Sequence, residues 1–304
     1  MNDAVTITNV SKHYGNIVAL DNISLRVAEG ELFGLIGPDG SGKSSLYKIL
    51  ATLAKPDAGN ATVCGLDCVM DFKRIRTKIG YMPERFSLYQ DLTVSENLKF
   101  FAALFGVDVK DNYDLIAPIY KQLERFPDRK AGALSGGMKQ KLALSCALIH
   151  RPEILLLDEP TTGVDAISRS EFWDMLAGLR SQGITILVST SYMDEATRCE
   201  RIAMMDKGHL LDIDTPANLV AKLDENLFNA VSTDMFGLLS AMRAIPEVID
   251  CYTFGATLHI VGRSNFNPME TTKKLQKKGL HDVKIYPATG NIEDLFIKLT
   301  RNEQ

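Results

Sequence analysis

The chain has no long hydrophobic run. Hydrophobic residues make up 45% and charged residues 24% of its 304 residues, and its longest apolar stretches are ILLL at 154–157 and FFAALFGV at 100–107. A membrane-spanning helix needs about 18 consecutive apolar residues, so we predict no spanning segment. The opening MNDAVTITNV carries an acidic residue and alternates polar with apolar residues, unlike the basic and apolar regions of a secretory signal. We therefore expect the protein to stay in the cytoplasm.

Paired cysteines and basic clusters are also lacking. The five cysteines are too scattered for a disulfide framework, at positions 64, 68, 146, 199 and 251. Cys64 and Cys68 could share a metal ion, but because no second pair of ligands accompanies them, reduced thiols are the better interpretation. The net charge of −4 and the lack of a long run of Lys and Arg argue against a nucleic-acid partner, since binding a phosphate backbone relies on clustered positive charge.

The hydrophobic periodicity predicts an α/β domain that a helical segment interrupts. Short strand patterns open the chain and lead to a buried strand at 32–37. Helical spacing of apolar residues dominates about 93–150, after which strand and helix patterns alternate again. We therefore expect one large domain at 1–226, with about 93–150 as a helical subdomain. The patterns at 227–304 predict a small α+β domain with no recognisable catalytic motif.

The strongest motif is GPDGSGKS at 37–44, directly between the buried strand and a helix. It fits the pattern G-x-x-x-x-G-K-[ST], in which glycines let successive backbone N–H groups turn toward a phosphate. Lys43 would neutralise the β and γ phosphates of ATP, and the Ser44 hydroxyl would coordinate Mg²⁺. The residues expected to hold the nucleotide here are Gly37, Pro38, Asp39, Gly40, Ser41, Gly42, Lys43, Ser44 and Ser45.

A second motif, ILLLDEP, occupies 154–160. Its four apolar residues predict a strand buried on both faces, and α/β sheets place their ligands at the carboxyl ends of such strands. Asp158 would hold the Mg²⁺ shell, while Glu159 would orient and polarise an attacking water. Two acids at a strand end are only moderately specific, but together with the phosphate loop they predict ATP hydrolysis.

A third segment, LSGGMKQKLALSCAL at 134–148, predicts a helix that Ser135, Gly136 and Gly137 open. An exposed helix N-terminus suits an anion, although a plain capped helix explains the same residues. The order of phosphate loop, helical segment, LSGGMKQ and LLLDEPTTGVD resembles the ATP-binding subunits of ABC transporters over roughly the first 225 residues. The segments YMDEA and EDLFIKLT most resemble subunits of bacterial drug, lipid or polysaccharide exporters whose membrane domain is a separate chain.

The resemblance implies an ABC-type P-loop nucleotide-binding domain with an antiparallel β subdomain and a helical insert. It implies that Tyr14 stacks on adenine, where simple packing is the alternative. Two subunits of this family, from the same or different chains, sandwich two nucleotides, so Ser135 and Gly137, with Gly136 between them, would face the γ-phosphate held by the opposite subunit. Asp165 would couple the two sites, with helix capping as its alternative. An integral membrane permease is the other implied partner.

Two positions depart from the family pattern. Glu84, in GYMPERF, stands where the family usually has a Gln that contacts Mg²⁺ and the attacking water. It keeps a hard oxygen for the metal but loses the amide donor and adds negative charge. Ser191, in STSYMDEA, stands where the family has a His that reaches the γ-phosphate. Because a hydroxyl is shorter and neutral, we predict slow hydrolysis at sites that contain Ser191, unless it only caps the next helix and catalysis rests on Glu159.

The resulting interpretation is an ATPase subunit that drives export through a separate membrane protein. Its coupling surface should lie at 84–93, where Phe86, Leu88 and Tyr89 could either engage a helix of that partner or pack internally. Two other interpretations stay open: a soluble ABC protein that acts on ribosomes or DNA, and a regulatory nucleotide-binding subunit with little catalysis. The sequence does not identify the transported substrate.

Overall fold

The computed structural model describes residues 2–301, and these form two compact units. The first unit ends at Pro216 and the second begins at Ala217, whereas the sequence pattern predicts the boundary ten residues later. The intervening residues pack within the second unit. Leu223 lies against Gly290, where an added Cβ would meet its side chain at 2.2 Å, and Asp224 pairs with Lys298. No helix among residues 2–301 is long and apolar enough to cross a membrane.

Strands and helices alternate through the first unit. Its strands are β1 (Asp3–Tyr14), β2 (Ile17–Ala28), β3 (Leu32–Ile36), β4 (Ala58–Val63), β5 (Leu66–Asp67), β6 (Ile79–Met82), β7 (Ile154–Asp158), β8 (Thr185–Thr190), β9 (Arg201–Asp206) and β10 (His209–Asp214). Its helices are α1 (Lys43–Leu50), α2 (Phe72–Arg76), α3 (Val94–Leu104), α4 (Tyr113–Tyr120), α5 (Gly136–Leu148) and α6 (Ala166–Ser181). Short 3₁₀ turns occur at Ala131–Ala133 and Met193–Arg198.

Two sheets organise this unit. The central sheet has the order β10-β9-β3-β8-β7-β6, with β10 antiparallel to β9 and the other pairs parallel. Every residue of β3, β7 and β8 is buried, which explains why these strands are continuous rather than alternating apolar runs. The second sheet, β2-β1-β4-β5, is antiparallel. The predicted antiparallel subdomain and the helical insert, which contains α3 and α4, are therefore confirmed.

The helical insert differs in one detail from its sequence pattern. Apolar spacing predicts a helix across 111–126, but α4 ends at Tyr120 and turns follow it. Pro118 lies in the last turn of α4. Because proline has no amide hydrogen to donate within a helix, the helix loses a backbone hydrogen bond at that point. The apolar periodicity continues past Tyr120, so pattern alone overestimates the length of the helix.

The second unit begins within α7 (Pro216–Ala221) and continues as β11 (Asn226–Val231), α8 (Met235–Arg243), β12 (Val248–Phe254), β13 (Thr257–Gly262), α9 (Pro268–Lys277), β14 (Lys284–Pro287) and α10 (Ile292–Arg301). The four strands form an antiparallel sheet in the order β12-β13-β11-β14. From β11 to β14 this is the βαββαβ arrangement of ferredoxin-like folds. Leu238 of α8 and Leu275 of α9 share one buried cluster with Leu258 and Ile260 of β13.

Candidate active site

The phosphate loop joins the end of β3 to the start of α1. Gly40 and Gly42 have φ angles of 81° and 104°, a region that favours glycine. A side chain at Gly42 would place its Cβ 2.4 Å from the carbonyl oxygen of Ala19, and one at Gly37 would lie 2.2 Å from that of Met205. Glycine is therefore required at position 42 by space as well as by conformation, and at position 37 by space.

Lys43 holds this loop in a curved shape. Its side chain is only 4% exposed, and its ammonium donates to the carbonyl oxygens of Gly37 at 2.6 Å and Pro38 at 3.0 Å. The same nitrogen lies 3.2 Å from Glu159 Oε1, an oxygen with no aligned hydrogen bond. The loop thus encloses a positive charge next to the N-terminus of α1, whose first amides have no partners within the helix. This combination fits a bound phosphate group.

Asp158 ends β7 beside the phosphate loop. Its Oδ1 accepts hydrogen bonds from Ser189 Oγ at 2.7 Å and from Ser44 Oγ at 3.1 Å. Burial raises the pKa of Asp158 and the charges of Glu159 and Glu84 add to this, while the two serine hydroxyls oppose it. A buried carboxylate next to other acids and a hydroxyl matches the hard oxygen donors that Mg²⁺ prefers. Ser44, Asp158 and Glu84 therefore fit the predicted metal site.

Glu159 is held on several sides. Its φ of 50° is unusual for a residue with a side chain, and its carboxylate is nearly buried. Oε2 accepts hydrogen bonds from the backbone N–H of Ser191 at 3.1 Å and the hydroxyl of Thr162 at 3.2 Å, with Ser191 Oγ at 3.4 Å. The carboxylate predicted to polarise water is thus fixed in place, and Ser191 contacts it directly.

A cleft of about 380 Å³ brings most of these groups together. Its lining consists of Ile17, Val18, Ala19, Asp39, Gly40, Ser41, Gly42, Lys43, Ser44, Ser45, Glu84 and Glu159. Tyr14 is not among the lining residues, although it pairs with Ile17 across the β1–β2 hairpin. Its ring is partly exposed, and the ammonium of Lys12 lies 5.5 Å from the ring centroid. Stacking of Tyr14 on adenine stays a prediction.

A second group of predicted residues lies where α5 begins, away from the lining of the cleft. Ser135 caps α5, and a Cβ at Gly137 would lie 2.8 Å from Ser168 Oγ on α6, while one at Gly136 would lie 3.1 Å from the carbonyl oxygen of Gly163. Asp165 caps α6, and its Oδ1 accepts from Ser168 N–H at 3.0 Å. This hydrogen bond lowers the pKa of Asp165. The structure thus brings the LSGGMKQ segment at 134–140, the signature segment, close to Asp165, and neither lines the cleft.

Sequence reasoning missed Ser189 and Thr162. Ser189 donates to Asp158 and accepts from the backbone N–H of Glu159 at 2.9 Å, so it fixes both acids. The available signal was its position: Ser189 is a polar residue at the end of a strand whose every residue is buried. A buried hydroxyl needs a hydrogen-bond partner, and Ser189 lies directly beside Asp158, the polar residue at the end of the neighbouring strand β7.

The comparisons with known proteins agree with this geometry. Residues 20–162 match the family model of ABC transporters. The probable multidrug ABC transporter ATP-binding protein YbhF of Escherichia coli (strain K12) is 38% identical over 98% of this chain and 52% of its own length. Nod factor export ATP-binding protein I of Burkholderia orbicola (strain AU 1054) is 34% identical over 98% of this chain and 97% of that protein. The chain therefore spans about half the length of YbhF and nearly all of the second relative.

Solved structures show the same fold. The dimeric ATP-binding cassette MJ0796, in a post-hydrolysis state bound to ADP and Pi, is 30% identical and superposes with a TM-score of 0.63 over 69% of this chain and 98% of its own. The ATP-binding subunit of an ABC transporter is 25% identical, with a TM-score of 0.66 over 72% of this chain and 92% of its own. A glycine-bearing loop around a lysine, beside two acids at a strand end, defines a P-loop nucleotide-binding protein. The chain belongs to the ABC transporter family.

Proposed function

We propose that this chain hydrolyses Mg-ATP to power export through a separate membrane-spanning partner, at the cytoplasmic face of the membrane. The observation that carries the proposal is the joining of Lys43, Glu84 and Glu159 in one cleft, with Asp158 bonded to Ser44 beside it. The relatives' names support the direction of transport, because they describe a multidrug transporter and a Nod factor exporter.

Each group in the cleft has a separate part in hydrolysis. Lys43 and the amides of the loop bind the phosphates, and Glu159 orients a water and accepts its proton. Mg²⁺ held by Ser44, Asp158 and Glu84 would offset the negative charge of the phosphates. The hydrogen bonds from Thr162 and Ser191 keep Glu159 in one orientation, which places the general base before the substrate arrives.

The contacts of Ser191 support the proposal that this chain hydrolyses ATP slowly. Its amide and hydroxyl both point at Glu159 Oε2, at 3.1 and 3.4 Å, so its polar groups orient the base rather than extend toward the phosphate. Loss of one contact to the transition state typically lowers the rate on the order of 100-fold. This observation also favours a second function, a subunit that mainly binds nucleotide while a different ABC subunit supplies the faster site.

An apolar groove supports the proposal that this chain binds a membrane-spanning partner. It measures about 600 Å³ and lies among β6, α3 and α5, with Leu88 in its wall. Leu53 and Leu104 line it while remaining 59% and 63% exposed. Exposed leucines around a groove suit an amphipathic helix that places its apolar face there. We assign that helix to a cytoplasmic segment of the membrane-spanning partner, because the groove adjoins the predicted coupling segment at 84–93.

The partner can be tested by isolating the chain with the membrane protein it binds. The tagged chain should be purified from detergent-solubilised membranes as the wild type and as Leu104→Glu. A charge at this exposed groove position should abolish recovery of the membrane protein, because burying an unpaired carboxylate is unfavourable. Met70→Glu is the matched control, since Met70 is 80% exposed and lies outside the groove.

Hydrolysis by the chain alone separates this result from a folding defect. Leu104→Glu should retain the ATP turnover of the wild type, because Leu104 does not line the cleft. Equal recovery of the membrane protein with all three proteins would refute the groove as its docking site. Recovery of nucleic acid or ribosomes instead of a membrane protein would refute transport.

A further inference from the structure

Glu195 is a buried acid beside the cleft that the mechanism above does not use. It lies in the 3₁₀ turn Met193–Arg198 and is 5% exposed. Its Oε2 accepts hydrogen bonds from Thr190 Oγ1 at 2.7 Å and from Thr161 Oγ1 at 3.0 Å. Two buried hydroxyls, one from the loop after β7 and one from the end of β8, therefore converge on one carboxylate oxygen.

The two threonines adjoin the residues that surround the reacting atoms. Thr161 follows Glu159 by two residues, and Thr190 directly precedes Ser191. Ser191 in turn donates its backbone N–H to Glu159 Oε2 at 3.1 Å. Glu195 thus closes a ring of hydrogen bonds that joins the loop after β7 to the end of β8.

Arg169 adds a link from α6. Its guanidinium lies 3.8 Å from Glu195 Oε1 and 4.5 Å from the ring centroid of Tyr192. Oε1 is buried and has no hydrogen bond, so this cation is the group that offsets its charge. Since Asp165 caps the same helix, Glu195 connects the Glu159 loop, the Ser191 loop and α6.

We propose that Glu195 is a positioning residue for ATP hydrolysis, which sets the placement of Glu159 relative to Ser191 through Thr161 and Thr190. The proposal rests on the proposed function, because Glu159 is there the general base. An acid that served only to stabilise the fold could bond anywhere in the core. Both hydrogen bonds of Glu195 instead reach residues within two positions of Glu159 or Ser191.

The test compares Glu195→Gln, Glu195→Ala and the control Asp194→Asn. A glutamine oxygen can still accept from both threonines, so kcat should stay within about threefold of the wild type. Alanine frees both loops, and because a shift of about 1 Å at a reacting group lowers rates on the order of 100-fold, kcat should fall at least about tenfold. The KM for ATP should change little, since Glu195 does not line the cleft.

Asp194 is the matched control because it is exposed and lies 4.0 Å from Arg169. Thr161→Val should lower kcat on its own but add little in the Glu195→Ala background, since both changes break one connection. The fluorescence of Trp173, the one tryptophan of the chain, reports whether each variant is folded. A loss in kcat that matches the unfolded fraction, or an Ala variant as active as Asp194→Asn, would overturn the proposal.

Backbone hydrogen exchange keeps this result separate from the proposed function. Residues 158–164 and 188–195 should exchange faster in nucleotide-free Glu195→Ala than in Glu195→Gln. That difference does not depend on turnover. If Glu195→Ala exchanges faster than Glu195→Gln but the wild-type chain does not hydrolyse ATP, the proposed function alone is refuted. Equal exchange in the two variants would overturn the positioning role of Glu195.

Discussion

At the scale of single residues, the chemistry of the cleft depends on what occupies position 191. Ser191 is half-buried and contacts Glu159 Oε2 through its amide and its hydroxyl. Replacing it with histidine keeps the backbone donor and adds an imidazole long enough to reach past the carboxylate. We expect kcat for Mg-ATP to rise at least about tenfold in Ser191→His, since a restored contact to the transition state is worth up to about 100-fold. Steady-state phosphate release measures this.

Two variants make the Ser191 result specific. Glu159→Gln should abolish turnover in both the wild-type and the Ser191→His backgrounds, because the amide cannot accept a proton from water. Ser191→Ala retains the amide donor and removes only the weaker contact at 3.4 Å, so it should behave like the wild type. If Ser191→His leaves kcat unchanged, Ser191 does not limit hydrolysis.

The residues of the cleft differ in how far the sequence reveals them. Lys43, Asp158 and Glu159 are predictable because each belongs to a contiguous motif next to a buried strand. Glu195 joins Thr161 and Thr190, and nothing in the spacing of these three residues indicates that they meet. Their contact depends on the order of β7 and β8 in the sheet, which is a long-range property.

At the scale of secondary-structure elements, Asn97 of α3 shapes the predicted coupling segment. Asn97 is fully buried, and its Nδ2 lies within hydrogen-bond distance of the carbonyl oxygens of Tyr89, Leu92 and Thr93. Its Oδ1 accepts from the Tyr89 amide at 3.1 Å. One side chain therefore fixes both ends of the turn that precedes α3. The sequence shows Asn97 only as a polar residue in an amphipathic pattern.

Removing this side chain should loosen the coupling segment. Asn97→Ala leaves the Tyr89 amide without its acceptor and removes one of the hydrogen bonds at each of the three carbonyls, so we expect a loss of about 2 kcal/mol in the free energy of unfolding. Urea denaturation followed by Trp173 fluorescence measures it. Lys99→Ala, a change at an exposed position of the same helix, should alter stability by less than about 0.5 kcal/mol. Equal stability of the two variants would contradict the role given to Asn97.

In the second unit, Asp282 connects two loops through hydrogen bonds that are sensitive to acid. Asp282 accepts hydrogen bonds from Ser232 Oγ at 2.7 Å and the Thr233 amide at 2.6 Å, and these lower the pKa of Asp282 to about 2. Because the pKa of Asp282 in the folded protein lies below its ordinary value of 3.8, Asp282 contributes stability above pH 3.8. That contribution is lost as the pH falls toward 2.

Asp282→Asn should therefore destabilise the second unit at pH 6 more than at pH 3. Cys251 is fully buried and is the one cysteine after position 216, so its modification reports opening of this unit. Cys251 is labelled with a disulfide reagent that is active in acid, and peptide mass spectrometry reads the labelling. Its dependence on urea measures the destabilisation of the second unit at each pH. If Asp282→Asn lowers the stability of the second unit by the same amount at both pH values, the assigned pKa is contradicted.

At the scale of the whole molecule, the signature segment does not line the cleft of its own chain. Ser135 caps α5 and does not line the cleft. MJ0796, which shares this fold, forms a dimer bound to ADP and Pi. If two copies of this chain join their sites in the same way, the cleft of one copy is completed by the signature segment of the other. Two inactive variants can then restore each other.

Lys43→Ala removes the phosphate-binding ammonium and leaves the signature segment intact. Ser135→Asp retains an oxygen that can cap α5 but places negative charge where the γ-phosphate of the opposite subunit is expected. Each variant alone should be inactive, because each of its two sites carries one defect. In a 1:1 mixture, half of the dimers combine both variants and contain one intact site, so turnover should recover to about a quarter of the wild-type value.

The mixture also decides whether the partner is a second copy of this chain or a different ABC subunit. Recovery that rises and falls with the mixing ratio, and is greatest near equal amounts, requires sites shared between two copies of this chain. Substituting Ser135→Ala for Ser135→Asp gives the matched control, since alanine removes the hydroxyl without adding charge. No recovery at any ratio, although each variant is folded by Trp173 fluorescence, would mean that this chain does not complete its own site. Its partner would then have to be a different ABC subunit, which is the arrangement that the slow site expected from Ser191 favours.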